Sequence, residues 1–277
     1  MRNLLLLVAL AVLGTGYSQS RSFRARFEMG FMGGGSYYIG DLSNGKHFSR
    51  SRLALGGIVR YNLSSRASLR FTGTYGTVWG SDARSDDPVE VNRNLDFTSK
   101  IYELAAGIEI DLFKYRINDM KYPISPYFFY EIAYFRMNPT TSYEGNEIEL
   151  QSLGTEGQGT SLSDKRKYSL NQISLPVGIG VKCNIKKRWA ISIEYGVRKT
   201  FTDYIDDVGG DYVDTEQLRT ENGPLAADLS NPSLDGINRA GFNRGTSTNK
   251  DWYVFYGLMI TFKPFKQDPC YFGRGSF

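Results

Sequence analysis

Through much of the chain apolar and polar residues alternate with a period of two, the mark of strands with two unlike faces rather than of helices. The rhythm is cleanest where Ile173, Leu175, Val177, Ile179, Val181, Cys183 and Ile185 share one face and Gln172, Ser174, Gly178, Gly180 and Lys182 the other. Trp189, Ile191, Ile193, Tyr195 and Val197 repeat it against Ala190, Ser192, Glu194, Gly196 and Arg198. Leu53, Leu55, Gly57, Val59 and Tyr61 lead into the turn Ser64-Ser65-Arg66, and Ala67, Leu69, Phe71, Gly73 and Tyr75 lead out of it. Tyr102 to Leu112, Phe128 to Phe135 and Trp252 to Phe262 alternate in the same way, and a weaker run, Ala25 to Ile39, contains Gly33-Gly34-Gly35. This makes eight segments for tilted membrane strands, which need about 9–11 residues each. Pro176 falls inside the sixth, where a lost ladder donor predicts a local bulge.

The connections alternate in length. Those after the second, fourth and sixth strands are short or moderate, while 41–50, 80–94, 138–168 and 200–251 are long. The pattern predicts an all-β fold: an eight-stranded antiparallel transmembrane β-barrel with short periplasmic turns, long extracellular loops and both mature termini in the periplasm. Trp79 and Trp252 fall at outer strand ends, and Tyr61, Phe113, Trp189 and Phe265 at inner ends, as membrane-interface aromatics do. A soluble barrel would turn the apolar face inward, and segregated loops would have no purpose in it.

The compartment follows from the N-terminus. Arg2, the ten-residue apolar run Leu4–Leu13 and the small residues before Gln19 form a secretory signal too short to span a bilayer as a helix. The expected organisation is a signal peptide at 1–18, an outer-membrane barrel at 19–265 and a periplasmic tail at 266–277. The mean hydropathy of −0.36 looks soluble but is compatible with strands that average grease and polarity. The chain contains 19 Tyr, 17 Phe and 30 Gly, which suits a long β protein with aromatic girdles and tight turns. A net charge of +4 without a basic, aromatic-laced module gives no nucleic-acid partner.

Candidate chemistry is sparse. His47 is the only histidine, so a Ser–His–acid triad or a multi-histidine metal site has nothing to build on, and no Gly-rich phosphate loop opens a helix. No enzyme activity, catalytic residue, metal, cofactor or small-molecule substrate is expected. Arg60, Arg70, Glu103, Glu109, Asp111, Glu131, Lys182, Glu194 and Arg198 lie on the polar face and predict a salt-bridged network filling the lumen, since eight strands leave room for little else. Asp203, Asp206, Asp207, Asp211 and Asp214 crowd the last long loop, dense enough for calcium but without a known ligand spacing, so a solvated acidic loop is the plainer expectation. Arg66, Lys114, Arg116, Lys121, Lys186, Lys187, Arg188, Lys263, Lys266 and Arg274 gather at the short-turn end, opposed only by Asp119 and Asp268, either snorkelling to outer-membrane lipids or forming a docking face for a periplasmic partner. Cys183 and Cys270 are disulfide candidates, with each other or between Cys270 and a neighbouring protein.

Several motifs resemble the PorG-like outer-membrane proteins of Bacteroidetes: Ser36-Tyr37-Tyr38-Ile39-Gly40-Asp41-Leu42, then Arg198 to Val208 (RKTFTDYIDDV), Asn243-Arg244-Gly245, Lys250-Asp251-Trp252-Tyr253 and Pro269-Cys270. The RKTFTDYIDDV block is the specific part. The resemblance covers the mature chain and implies a non-enzymatic component of the type IX secretion system, the machinery of protein transport and gliding motility. It further implies that the barrel anchors or assembles a periplasmic ring made of a lipoprotein (PorK or GldK) and its partner (PorN or GldN). The alternative is a free-standing barrel that binds ligand or surfaces through its extracellular loops.

Overall fold

The computed structural model describes residues 26–43, 47, 48, 50–117, 121–186 and 188–264. The expected signal peptide and tail, with Cys270, Lys266 and Arg274, lie outside the described residues, as do Lys187 and the side chain of Lys186. The strands are β1 (Arg26–Ile39), β2 (Arg52–Asn62), β3 (Ala67–Ser81), β4 (Asp96–Asp111), β5 (Ile124–Arg136), β6 (Pro139–Tyr143), β7 (Asn146–Glu149), β8 (Asn171–Lys186), β9 (Trp189–Thr200) and β10 (Trp252–Phe262). All except β6 and β7 form a closed antiparallel barrel of eight strands. Neighbours in the chain pair throughout, and β1 meets β10 from Met29↔Phe262 to Ile39↔Trp252.

The period of two has a direct physical outcome. Along β5, Phe128, Tyr130, Ile132 and Tyr134 point out, while Tyr127, Phe129, Glu131 and Phe135 are buried inside. Phe31, Leu53 and Leu104 are 74%, 68% and 69% exposed on the barrel wall. Soluble monomers rarely present so many exposed apolar side chains in one band to water. Hydrocarbon tolerates it, and a closed barrel is the only sheet without an unpaired edge there.

Above the girdle the polarity inverts. β3 and β4 run further than their apolar-out pattern predicts, pairing up to Ser81↔Asp96. In this extension Val78, Phe97 and Ile101 are buried inside, while Asp96 and Lys100 face out. The strands here stand in water, so the grease moves inward. The long loops are also built rather than loose. The β6–β7 hairpin continues from β4 through Thr98↔Thr140, and α1 (Pro88–Arg93), α2 (Leu150–Leu153), α3 (Thr215–Asn222) and α4 (Pro224–Ser230) fold over the mouth. Leu42, Leu95, Met137, Leu150, Ile205, Val208 and Leu229 join the barrel interior in one apolar core.

The short-turn end is closed differently. Residues 112–117 tuck Tyr115 and Ile117 into the lower mouth against Ala190. The Tyr115 N–H donates to the Ser65 carbonyl at 2.8 Å, and Asn184 Nδ2 holds the Arg116 carbonyl at 2.9 Å. Pro176 corrects the expectation of a bulge. Pairing between β5 and β8 lapses opposite Glu131 and Ile132 and resumes at Ala133↔Ser174 in the same register. The irregularity in β8 comes between Asn184 and Lys186 instead. A lost donor therefore costs ladder contacts here without inserting a residue.

Candidate functional site

The lumen is packed with charge. From β3, Arg70 reaches Glu194 on β9 at 3.0 Å, Glu131 on β5 at 3.1 Å and Glu109 on β4 at 3.1 Å. Glu109 also receives Arg60 at 2.8 Å and Lys182 at 2.7 Å, and Lys182 reaches Asp111 at 2.9 Å. Higher up, Arg198 pairs with Glu103 at 3.3 Å. These side chains come from different strands and share the lumen because each holds the inward parity of its own strand. Two tyrosines complete the set: Tyr127 donates to Glu194 at 2.8 Å and Tyr253 to Glu103 at 2.6 Å. All are buried, so each ion lost bulk hydration and regains it only from these partners. Arg70 lies 3.9 Å from the Phe129 ring centroid, which adds a cation–π contact.

A second buried polar cluster locks the cap. Arg244 donates to the Ser230 carbonyl at 3.0 Å and to Glu156 at 3.2 Å. Glu156 in turn accepts the N–H groups of Gly209 at 2.9 Å and Gly210 at 3.0 Å. Asp207 accepts from Tyr168 at 2.6 Å and from Thr155. Tyr38 lies between Asp206 at 2.5 Å and Asp251 at 2.9 Å. A phenol carries one proton, so one of these two contacts uses a proton held on a carboxyl. Burial raises both Asp206 and Asp251 above the usual carboxylate range, with Asp41 adding to the effect at Asp206 and Asp206 adding to it at Asp251. Burial likewise raises Asp207 to about 6 against the pull of Arg244, and Asp203 to about 6 against Lys250.

The acidic loop is therefore not a solvated run at Asp203, Asp206 and Asp207, whose side chains are buried. Asp211 is exposed and bridges Asn243 through the backbone, and Asp214 caps α3 by accepting the Gln217 N–H at 2.9 Å. The five aspartates thus serve separate partners. Among the described residues no group of three or more His, Cys, Asp or Glu is arranged to hold a metal.

At the short-turn rim Arg66, Lys114, Lys121 and Arg188 are exposed, while Arg116 and Lys263 are half-buried. The carboxylates of that end, Glu28 and Asp111, are buried, and Glu28 accepts from Asn62 at 2.7 Å. Cys183 is half-buried in β8 and in no disulfide among the described residues; the expected bond falls on Cys270, outside them. His47 rests edge-on against Tyr37, with ring centroids 5.7 Å apart. Tyr38, Tyr127, Glu156 and Arg244 are polar site residues that pattern reading does not assign, and it places Tyr253 on the inward face without a role in the network. Tyr127 and Tyr253 hold the inward parity of their strands, a signal available in the sequence.

Taken together, these features define a small membrane β-barrel with a charge-filled lumen, a folded cap at one end and a tucked turn at the other. The chain belongs to the family described as Domain of unknown function (DUF6089), whose model matches residues 3–228. Among solved structures it is similar in fold to Ail of Yersinia pestis, at 12% identity over 87% of this chain and 99% of that one, with a TM-score of 0.42. It is also similar to the Neisserial surface protein NspA, at 11% identity over 87% and 99%, with a TM-score of 0.41. OprG of Pseudomonas aeruginosa is similar at 9% identity over 87% and 98%, with a TM-score of 0.36. No curated protein matches the sequence.

Proposed function

We propose that the protein is a non-enzymatic outer-membrane component of a type IX secretion system, fixing a PorK/PorN-like (GldK/GldN-like) periplasmic ring to the membrane. In this reading the folded cap is extracellular, and the short turns and both mature termini face the periplasm. The lumen network serves as a plug that stiffens the barrel as an anchor. The observation that carries the reading is the short-turn rim. It exposes Arg66, Lys114, Lys121 and Arg188, while the described carboxylates of that end, Glu28, Glu109 and Asp111, are buried. A predominantly basic rim steers and holds an acidic protein face. The RKTFTDYIDDV block supports the reading through the resemblance it carries, and its aspartates build the cap rather than a ligand site.

Reversing Arg66, Lys114 and Arg188 to glutamate tests the proposal in cells. Export is expected to fail, and the ring to lose salt-sensitive co-purification with the barrel, while the barrel still inserts. Normal export with the reversed rim overturns the anchoring role. It would favour the second reading, in which the loops bind a surface ligand. The observation behind that reading is a groove of about 590 Å³ in the cap, walled by Val89, Arg93, Tyr212, Ile237 and Phe242.

A further inference from the structure

Apolar side chains stand in water around the groove of the cap. Val89 on α1 is 75% exposed and Phe242 is 68% exposed, and with Ile237 they wall a space of about 590 Å³. Small-molecule sites span roughly 300–1,000 Å³ and are mostly apolar, with a few convergent polar groups. An exposed apolar patch rimmed by polar residues marks a place of recognition.

The walls are fixed by the backbone. Asp87 caps α1 by accepting the Val89 N–H at 2.9 Å. The turn carrying Ile237 is clipped to that helix: the Leu234 N–H donates to the Asn92 carbonyl at 3.0 Å, and Asn92 Nδ2 to Asp235 at 2.9 Å. A short ladder sets the rest, with the Tyr212 N–H on the Phe242 carbonyl and the Gly241 N–H on the Tyr212 carbonyl, both at 2.8 Å. Gly241 holds a φ of +80°, a left-handed conformation that suits glycine. The groove is therefore formed before a ligand arrives, which lowers the cost of filling it.

Its polar groups are chiefly donors. Tyr212 is only 4% exposed, and its hydroxyl has no hydrogen-bond partner. A buried hydroxyl left so is costly until an acceptor serves it. Burial raises it above the usual tyrosine range against the pull of Arg244, Arg93 and Arg239, so it keeps its proton to donate. Arg93 and Arg239 line the groove with it, each seated on its own carboxylate, Asp82 at 2.7 Å and Asp235 at 2.9 Å. The contacts of Arg239 use Nη1 and Nη2 and leave its Nε–H. Among the described residues that line the groove there is no Asp or Glu. The hydroxyl protons of a sugar would find few acceptors here. An oxyanion on an apolar body meets donors at one end and grease at the other.

We propose that the groove is a binding site for a small organic carboxylate with an aromatic or branched aliphatic body. The carboxylate accepts from the Tyr212 hydroxyl and the Arg239 Nε–H, and the body lies against Phe242, Ile237 and Val89. The hydroxyl is under the groove surface, so a wall side chain, Phe242 or Arg239, turns aside as the ligand enters. The proposal rests on the second reading above for a ligand at the cap and supplies its chemical class. Anchoring at the short-turn rim is compatible with it.

The test uses the purified full chain in neutral detergent with para-fluorophenylacetate as probe and para-fluorophenethyl alcohol as its uncharged counterpart. Fluorine NMR relaxation of each ligand is followed against empty micelles. The acid is expected to bind about tenfold tighter than the alcohol, the size of one charge-assisted hydrogen bond. Tyr212→Phe removes only the hydroxyl, which has no partner to lose, and should cancel that preference. Phe242→Ala should weaken both ligands, and Lys100→Gln, which does not line the groove, should change neither. Equal binding of acid and alcohol by the wild type, or a preference that survives Tyr212→Phe, overturns the carboxylate while leaving a ligand at the cap. Displacement of the acid by an equal concentration of glucose does the same. Binding of neither probe, or binding indifferent to Phe242→Ala, overturns the site and the second reading with it. Heat-modifiable gel mobility confirms that each variant is a folded barrel.

Discussion

Arg70 shows how one residue decides the character of the interior. It is the common partner of Glu109, Glu131 and Glu194, so Arg70→Met would leave those carboxylates buried and short of counter-charge. The expected cost is about 3–5 kcal/mol, the usual penalty for breaking a buried pair from one side. Urea unfolding in lipid vesicles measures it, with Lys100→Ala as comparison. The Lys100–Glu147 pair is 51% and 59% exposed, and its loss should cost under about 1 kcal/mol. Equal effects would mean that the lumen ions are solvated rather than paired. The charged members of this network were legible in the sequence because strand parity sorts them to one face. Tyr127 and Tyr253 share that inward parity, but an aromatic ring suits either wall of a barrel, so parity alone does not mark them as hydroxyl partners of the ions. Arg244 and Glu156 were invisible for another reason: they sit in irregular segments where no periodicity assigns a direction.

At the scale of elements, all eight barrel strands could be read from alternation, and β10 was read to its observed ends. β3 and β4 were read short because their upper residues keep the period but reverse its sense, grease in and polarity out. α1 to α4 and the β6–β7 hairpin were missed, being too short to show a period of their own. The cap they form has a pH dependence with a definite sign. Asp207 titrates near 6 when folded and near 3.8 as the ordinary value, so the cap holds the proton more tightly than the unfolded loop. A raised carboxyl contributes stability that is complete below about pH 4 and fades as pH rises through 6, amounting to roughly 3 kcal/mol at most. Hydrogen exchange across residues 201–210 should therefore be faster at pH 7.5 than at pH 5 beyond the intrinsic chemical rate. The double variant Asp203→Asn/Asp207→Asn should reduce the difference, leaving the part that Asp206 and Asp251 carry. Slower corrected exchange at pH 7.5 would show that attraction to Arg244 outweighs the burial of Asp207.

As a whole molecule the barrel is sealed three times over, by the cap, by the ion-paired lumen and by the tucked turn carrying Tyr115 and Ile117. Planar bilayers containing the protein should stay electrically silent in molar salt, and stepwise currents would mean that the interior opens. The closure of the wall has its own result. β1 and β10 zip together through their whole shared length, with Gly34 opposite Gly257 where an added methyl would strike backbone. The seam joins the first strand of the barrel to the last, so one edge of β1 keeps its N–H and C=O groups open until β10 arrives to cover it.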